Sequence, residues 1–263
     1  MPPPEPNASI TTLDLSRLSA PPGGSRRLTG YLARPPRTGP WPGVVVVHEA
    51  LGVDDVMLRQ VGRLARAGYL ALMPDLFTRG GVRRCLIPTM RAATSGRGRA
   101  YQDIAAARTF LAENPDCTGA VGIIGFCMGG AFALMSAGQG DFAAASANYG
   151  LLPKELDQAL TGACPVVASY GGRDRMLKGA AARLDSALER LGIVHDVKEY
   201  PQAGHAFLND AEVGPRPLRP LFRVTGMGPH PEAADDAWRR IETFFDTHLK
   251  HDDQHDNRKK VES

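Results

Sequence analysis

The sequence is poor in cysteine, lysine and aromatic residues, and has little net charge. Four cysteines in 263 residues, Cys85, Cys117, Cys127 and Cys164, are too few and too scattered for a disulfide framework. No two of them stand in the C-x-x-C spacing of a zinc or redox site. No run approaches the ~20 apolar residues of a membrane helix. The opening Met1-Pro-Pro-Pro-Glu-Pro has neither the basic start nor the apolar stretch of a secretory signal, so a reduced, cytoplasmic compartment is expected. No Gly-Lys dipeptide occurs, which excludes a Walker A loop, and no G-x-G-x-x-G follows a strand. His48-Glu49 begins like a zinc-binding H-E-x-x-H helix, but the second histidine's place is taken by Gly52. Neither a metal nor a cofactor is expected. The balance of 31 basic and 28 acidic residues, +3, is too small to mark a nucleic-acid surface, and no membrane partner is expected either.

What is present is ordinary globular composition, 43% hydrophobic and 22% charged. Residues 1–9 and 250–263 read as flexible tails around a single domain spanning 10–249. Short apolar runs alternate there with longer segments of helical periodicity, the pattern of β-α-β units around a mostly parallel sheet with helices on both faces. Strands are expected at 44–47, 69–73, 121–124, 143–148, 166–170 and 194–200. Helices are expected at about 55–67, 101–113, 128–137, 179–191 and 231–249. The segments 10–18 and 27–34, joined through Pro21-Pro22-Gly23-Gly24, read as an antiparallel hairpin on the sheet edge. Between strand 69–73 and helix 101–113 runs a stretch read as a loop. From Arg79 to Arg99 it contains Arg79, Arg83, Arg84, Arg91, Arg97 and Arg99 and no acidic residue, and subtracting those six arginines takes the balance from +3 to −3.

The sharpest chemical signal is Gly125-Phe126-Cys127-Met128-Gly129, directly after one expected strand and directly before a helix. This is the nucleophile-elbow pattern with cysteine in place of serine. Glycines flank it because the turn is too sharp for side chains, and the central residue stands at a helix N-terminus, where a negative sulfur is favoured. A nucleophile of this kind needs a base, and the base needs an orienting acid. Asp174, in Gly171-Gly172-Arg173-Asp174, and His205, in Gly204-His205-Ala206-Phe207, follow later strands in the required chain order. Either alone has a bland reading, a helix cap or a satisfied polar group; together, in order, they complete a triad. His48, His195, His230, His248, His251 and His255 are read as non-catalytic.

These stretches resemble the dienelactone hydrolases, a cysteine-nucleophile branch of the α/β-hydrolase fold. The resemblance rests on Val44 through Val53, Gly68 through Phe77, Ile124 through Gly130, Gly171 through Asp174 and Gly204 through Phe207, together covering about 40–210. It implies a triad of Cys127, Asp174 and His205. It also implies that Glu49 pairs with the cysteine in the resting enzyme, and that the backbone N–H groups of Ala50 and Met128 form an oxyanion hole. Two departures stand out. An arginine that helps hold the substrate carboxylate in the best-known members is here Asn209, and the Arg-rich loop is shorter. The expected activity is hydrolysis of activated esters or enol-lactones through an acyl-enzyme. An acyl transferase or thioesterase on the same triad, or a non-catalytic binding protein of this fold, are the alternatives. Arg79, Arg83, Arg84, Arg91 and Asn209 are the candidate substrate contacts, for an ester or lactone that carries a carboxylate. A monomer or small homo-oligomer fits the chain.

Overall fold

The computed structural model describes residues 9–18, 23–212 and 227–250. The expected tails fall almost wholly outside these ranges, as does Pro21-Pro22 of the expected hairpin turn. Eight strands form one sheet: β1 (Ile10–Asp14), β2 (Thr29–Ala33), β3 (Trp41–Val47), β4 (Leu70–Pro74), β5 (Cys117–Phe126), β6 (Ala145–Asn148), β7 (Val166–Gly171) and β8 (His195–Tyr200). Their order across the sheet is β1-β2-β4-β3-β5-β6-β7-β8. The five pairings from β4 through β3 to β8 are parallel, while β1 and β2 pair antiparallel and β2 joins β4 antiparallel. The chain thus has an α/β-hydrolase architecture with an antiparallel N-terminal pair at one edge.

The central strands read as continuous apolar runs because they are covered on both faces. Val44 through Val47 are fully buried. Two helical layers provide the cover. On one side α1 (Asp55–Arg66) and the last helix, α7 (Pro231–Leu249), are joined by Arg63 Nε donating to Glu242 Oε1 at 3.1 Å, and the Arg63 guanidinium lies 4.5 Å from the Trp238 ring centroid. Elsewhere α3 (Arg99–Ala112) meets α4 (Met128–Ala137) through Tyr101 against Phe132, with ring centroids 4.9 Å apart. Asp54 caps α1 by accepting from Met57 N at 2.9 Å. Helix α5 (Leu156–Leu160) packs on α6 (Ala180–Arg190), which lies against β7 and β8.

One expectation is corrected. The Arg-rich stretch is not a loop: it contains α2 (Gly81–Ala93), a 13-residue helix with Pro88 inside it. Pro88 reads as a breaker, and the residues that α2 buries, Cys85, Thr89 and Ala93, are small or polar. They sit at helical spacing without looking like a core face. The five-residue α5 also went unread, and β5 is longer than the apolar run 121–124 suggested.

The sharp turn after β5 is held by backbone approach. A Cβ on Gly125 would lie 1.9 Å from Gly129 O, and one on Gly129 would lie 2.0 Å from Val47 O. Both obstacles are backbone atoms that cannot swing aside. Gly129→Ala is therefore expected to cost more than about 4 kcal/mol, among the largest single-substitution effects. Chemical denaturation of the purified variant, or its failure to accumulate as folded protein, checks this; a loss under about 1 kcal/mol would contradict it.

Candidate active site

Three strand ends and one elbow converge at the carboxyl edge of the sheet, where open α/β sheets place their ligands. In the parallel register Val47 stands opposite Gly125, so Glu49 and Ala50, just past β3, lie beside Cys127, just past β5. Asn148 on β6 is paired with Phe126, and Gly171 on β7 with Tyr200 on β8. Asp174 and His205 follow those last two strands.

Cys127 has φ 54° and ψ −114°, a conformation that L-residues rarely adopt. Its N–H donates to Asn148 O at 3.0 Å, and its C=O accepts from Gly130 N and Ala131 N, so the strained residue is fixed on both sides. Met128 opens α4, which leaves its N–H without an acceptor inside the helix.

His205 Nδ1 and Asp174 Oδ2 are 2.5 Å apart, with both side chains nearly buried. The other carboxylate oxygen of Asp174 accepts from Met176 N at 3.0 Å, capping the short 3₁₀ turn Arg175–Leu177. The acid is therefore locked while it orients the imidazole. His205 Nε2 is buried and meets no conventional hydrogen-bond partner among the described residues. Burial disfavours the imidazolium, but the bond to Asp174 and the nearby Cys127 outweigh it and push the His205 pKa up to about 10. The folded state therefore holds a proton that the unfolded state releases near 6.5. The stabilisation is thus full below that pH and lost as pH rises toward 10. His205→Gln is expected to flatten the decline of unfolding free energy between pH 7 and 10, measured by denaturant titrations of both proteins. An unchanged slope would contradict the assignment.

Glu49 is buried and accepts from Asn209 Nδ2 at 3.2 Å on each oxygen and from Tyr149 O–H at 3.3 Å. Burial pushes its carboxyl above the usual range, and the neighbouring His205 and these bonds pull it back in part. Asn209 thus engages Glu49. The segment carrying His205 and Asn209 is pinned to α1: Gln60 Nε2 donates to Leu208 O at 3.0 Å, and Arg59 pairs with Asp210 at 2.5 and 2.7 Å.

Sequence reasoning passed over Tyr149. It is buried at φ 40°, holds Glu49 through its hydroxyl, and packs edge-on against His205 with ring centroids 5.1 Å apart. The signal that could have found it is Gly150 directly after a polar Asn148-Tyr149 strand end. A Cβ at Gly150 would lie 2.4 Å from Ala131 N, so the chain must turn tightly there. His48 is a brace rather than a reactive group. Its two ring nitrogens bond to Glu49 O at 2.7 Å and Leu76 N at 3.1 Å, tying the ends of β3 and β4 together.

The arginines of the Arg-rich stretch lie mostly at the surface. Arg79, Arg83, Arg84, Arg91 and Arg97 are exposed, while Arg99 is half-buried and reaches Leu76 O. Of the candidate substrate contacts, Arg91 lines a cleft with Ala50, and Asn209 lies on Glu49.

The other cysteines are unlike Cys127. Cys85 is buried, and burial pushes the Cys164 thiol up to about 12 and raises that of Cys117. Because the thiolate is the reacting form, iodoacetamide at neutral pH is expected to alkylate Cys127 at least about tenfold faster than the other three. Peptide mapping over time checks this; uniform labelling would contradict it.

Comparison with known proteins agrees with this architecture. The sequence profile of the Dienelactone hydrolase family matches residues 28–249. A Methylorubrum extorquens protein provisionally named a carboxymethylenebutenolidase is 31% identical over 235 residues, covering 83% of this chain and 76% of its own length. The carboxymethylenebutenolidase of Pseudomonas putida is 28% identical over 195 residues, covering 70% of this chain and 83% of its own. A crystal structure from Klebsiella pneumoniae, provisionally named a dienelactone hydrolase, superposes with a TM-score of 0.70 at 25% identity, covering 90% of this chain and 98% of that one. With its fold, its elbow and its matched length in agreement, the chain belongs to the dienelactone hydrolase family and is a hydrolase.

Proposed function

We propose that the protein hydrolyses activated carboxylic esters and enol-lactones through a Cys127–His205–Asp174 triad. The observation that carries the reading is the 2.5 Å bond from His205 to Asp174, made beside a cysteine held at φ 54° on the turn between β5 and α4. The sulfur of Cys127 attacks the ester carbonyl carbon, and the carbonyl electron pair moves onto oxygen. The N–H groups of Ala50 and Met128 receive that oxyanion. As the C=O re-forms, the C–O bond to the leaving group breaks, and the protonated His205 gives its proton to the departing oxygen. Water then adds to the thioester, His205 takes the water's proton, and the C–S bond breaks to return the thiolate and release the acid.

A thiolate is itself a good leaving group, so the first tetrahedral adduct goes forward only when the alcohol leaves at least as readily. Phenols and enols satisfy that; amines do not. Tyr149 and Asn209 hold Glu49 beside the cysteine, where its raised carboxyl pKa limits the negative charge facing the sulfur. The test is a panel of aryl esters, enol esters, lactones and matched amides. Turnover of the first three without the amides is expected. Amide hydrolysis at comparable rates, or none on any substrate, would contradict the reading.

A further inference from the structure

The segments that frame Cys127 expose apolar side chains. Five large hydrophobic residues are exposed among those described: Leu51 39%, Ile87 61%, Leu151 41%, Met176 67% and Val194 58%. Four of them stand around the site. Leu51 follows Ala50 past β3, Leu151 follows Tyr149 past β6, Met176 lies two residues past Asp174, and Ile87 projects from α2. Single exposed hydrophobics are normal on a protein surface, but this concentration at one sheet edge is not.

Between α2 and Ala50 runs a cleft of about 450 Å³, lined by Ala50, Leu86, Ile87, Met90 and Arg91. This lies within the size range of small-molecule sites. Of these five, only Arg91 has a polar side chain, and it is exposed. Deeper in, the buried polar and charged side chains described include Glu49, Asp174, His205 and Asn209 but no lysine or arginine, and the His205 imidazolium is already bonded to Asp174. A terminal carboxylate carried along the apolar cleft loses water without gaining an unpaired buried cation, and an exposed arginine in water contributes little.

We propose that the site selects esters with an apolar, uncharged acyl chain of medium length, seated along Leu86, Ile87 and Met90, over short or carboxylated ones. This rests on the triad reading above. The acyl group is the part of the substrate that stays beside Ala50 through both chemical steps, which is why the cleft that Ala50 lines is assigned to it. Full burial of one methylene is worth about a fourfold gain, so four partly covered ones are expected to give about tenfold.

The experiment uses p-nitrophenyl acetate, butyrate and hexanoate, and the p-nitrophenyl monoester of adipic acid, which has the hexanoate chain length with a terminal carboxylate. Expected is a kcat/KM about tenfold higher for hexanoate than for acetate, with the adipate monoester at least about tenfold below hexanoate. In the double variant Ile87→Gln/Met90→Gln the hexanoate-to-acetate ratio is expected to fall toward one. Both side chains reach solvent, so this variant does not strip the core. A flat chain-length series, a ratio unchanged in the double variant, or an adipate monoester that is the faster substrate and slows with salt would overturn the proposal while acetate turnover leaves the triad standing. Absence of turnover on every ester would overturn both.

Discussion

Cys127→Ala is expected to lower kcat/KM for activated esters by about 10⁵-fold or more, with the fold intact. In the proposed mechanism the sulfur is the only protein atom that bonds to the carbonyl carbon, and in acyl-transfer triads deleting the nucleophile costs nearly as much as deleting the whole constellation. The fold should survive because the elbow is fixed by Gly125, Gly129 and the Cys127 backbone bonds, none of which involves the sulfur. Alanine also tolerates the strained φ no worse than cysteine. Steady-state kinetics and a denaturation curve on the same preparation check both halves. Activity within tenfold of the parent would remove Cys127 from the mechanism.

Asp174→Asn is expected to lower kcat/KM by about 10³- to 10⁴-fold through the histidine rather than through the fold. Asparagine keeps an oxygen for Met176 N, so the 3₁₀ turn stays capped. Its amide, however, presents donor hydrogens to His205 Nδ1. That forces the imidazole proton onto Nε2, where it can no longer accept from a thiol or from water. The change also removes the carboxylate that, with Cys127, raises the His205 pKa. The loss should therefore fall on kcat as well as on kcat/KM, with little change in thermal midpoint. A variant that loses stability and activity in proportion would show Asp174 to be structural only.

The elbow was legible because a backbone demand is written directly in residue type: Gly125 and Gly129 are the only side-chain-free solutions to approaches of about 2 Å from backbone oxygens. Asp174 and His205 were legible through order and context, since each follows a strand whose apolar run is plain. Helix α2 was not, because its buried positions are Cys85, Thr89 and Ala93 and its middle is Pro88. The arginines announced their charge but not their direction. A helix turns successive residues through the full circle, so six arginines in one stretch need not share a face, and five of them are exposed. Tyr149 escaped because its role depends on a left-handed φ and a contact with Glu49, 100 residues distant in the chain. Neither has a local signature.

The covalent role of Cys127 is tested most directly by trapping the acyl-enzyme. The protein is mixed with a p-nitrophenyl ester, quenched in acid within milliseconds to seconds, and mapped by mass spectrometry. An added acyl mass is expected on the peptide containing Cys127, appearing with the burst of phenol and decaying as the acid is released, with no such mass in the Cys127→Ala variant. An acyl group on another residue, or phenol release with no covalent adduct under conditions where deacylation limits turnover, would contradict it.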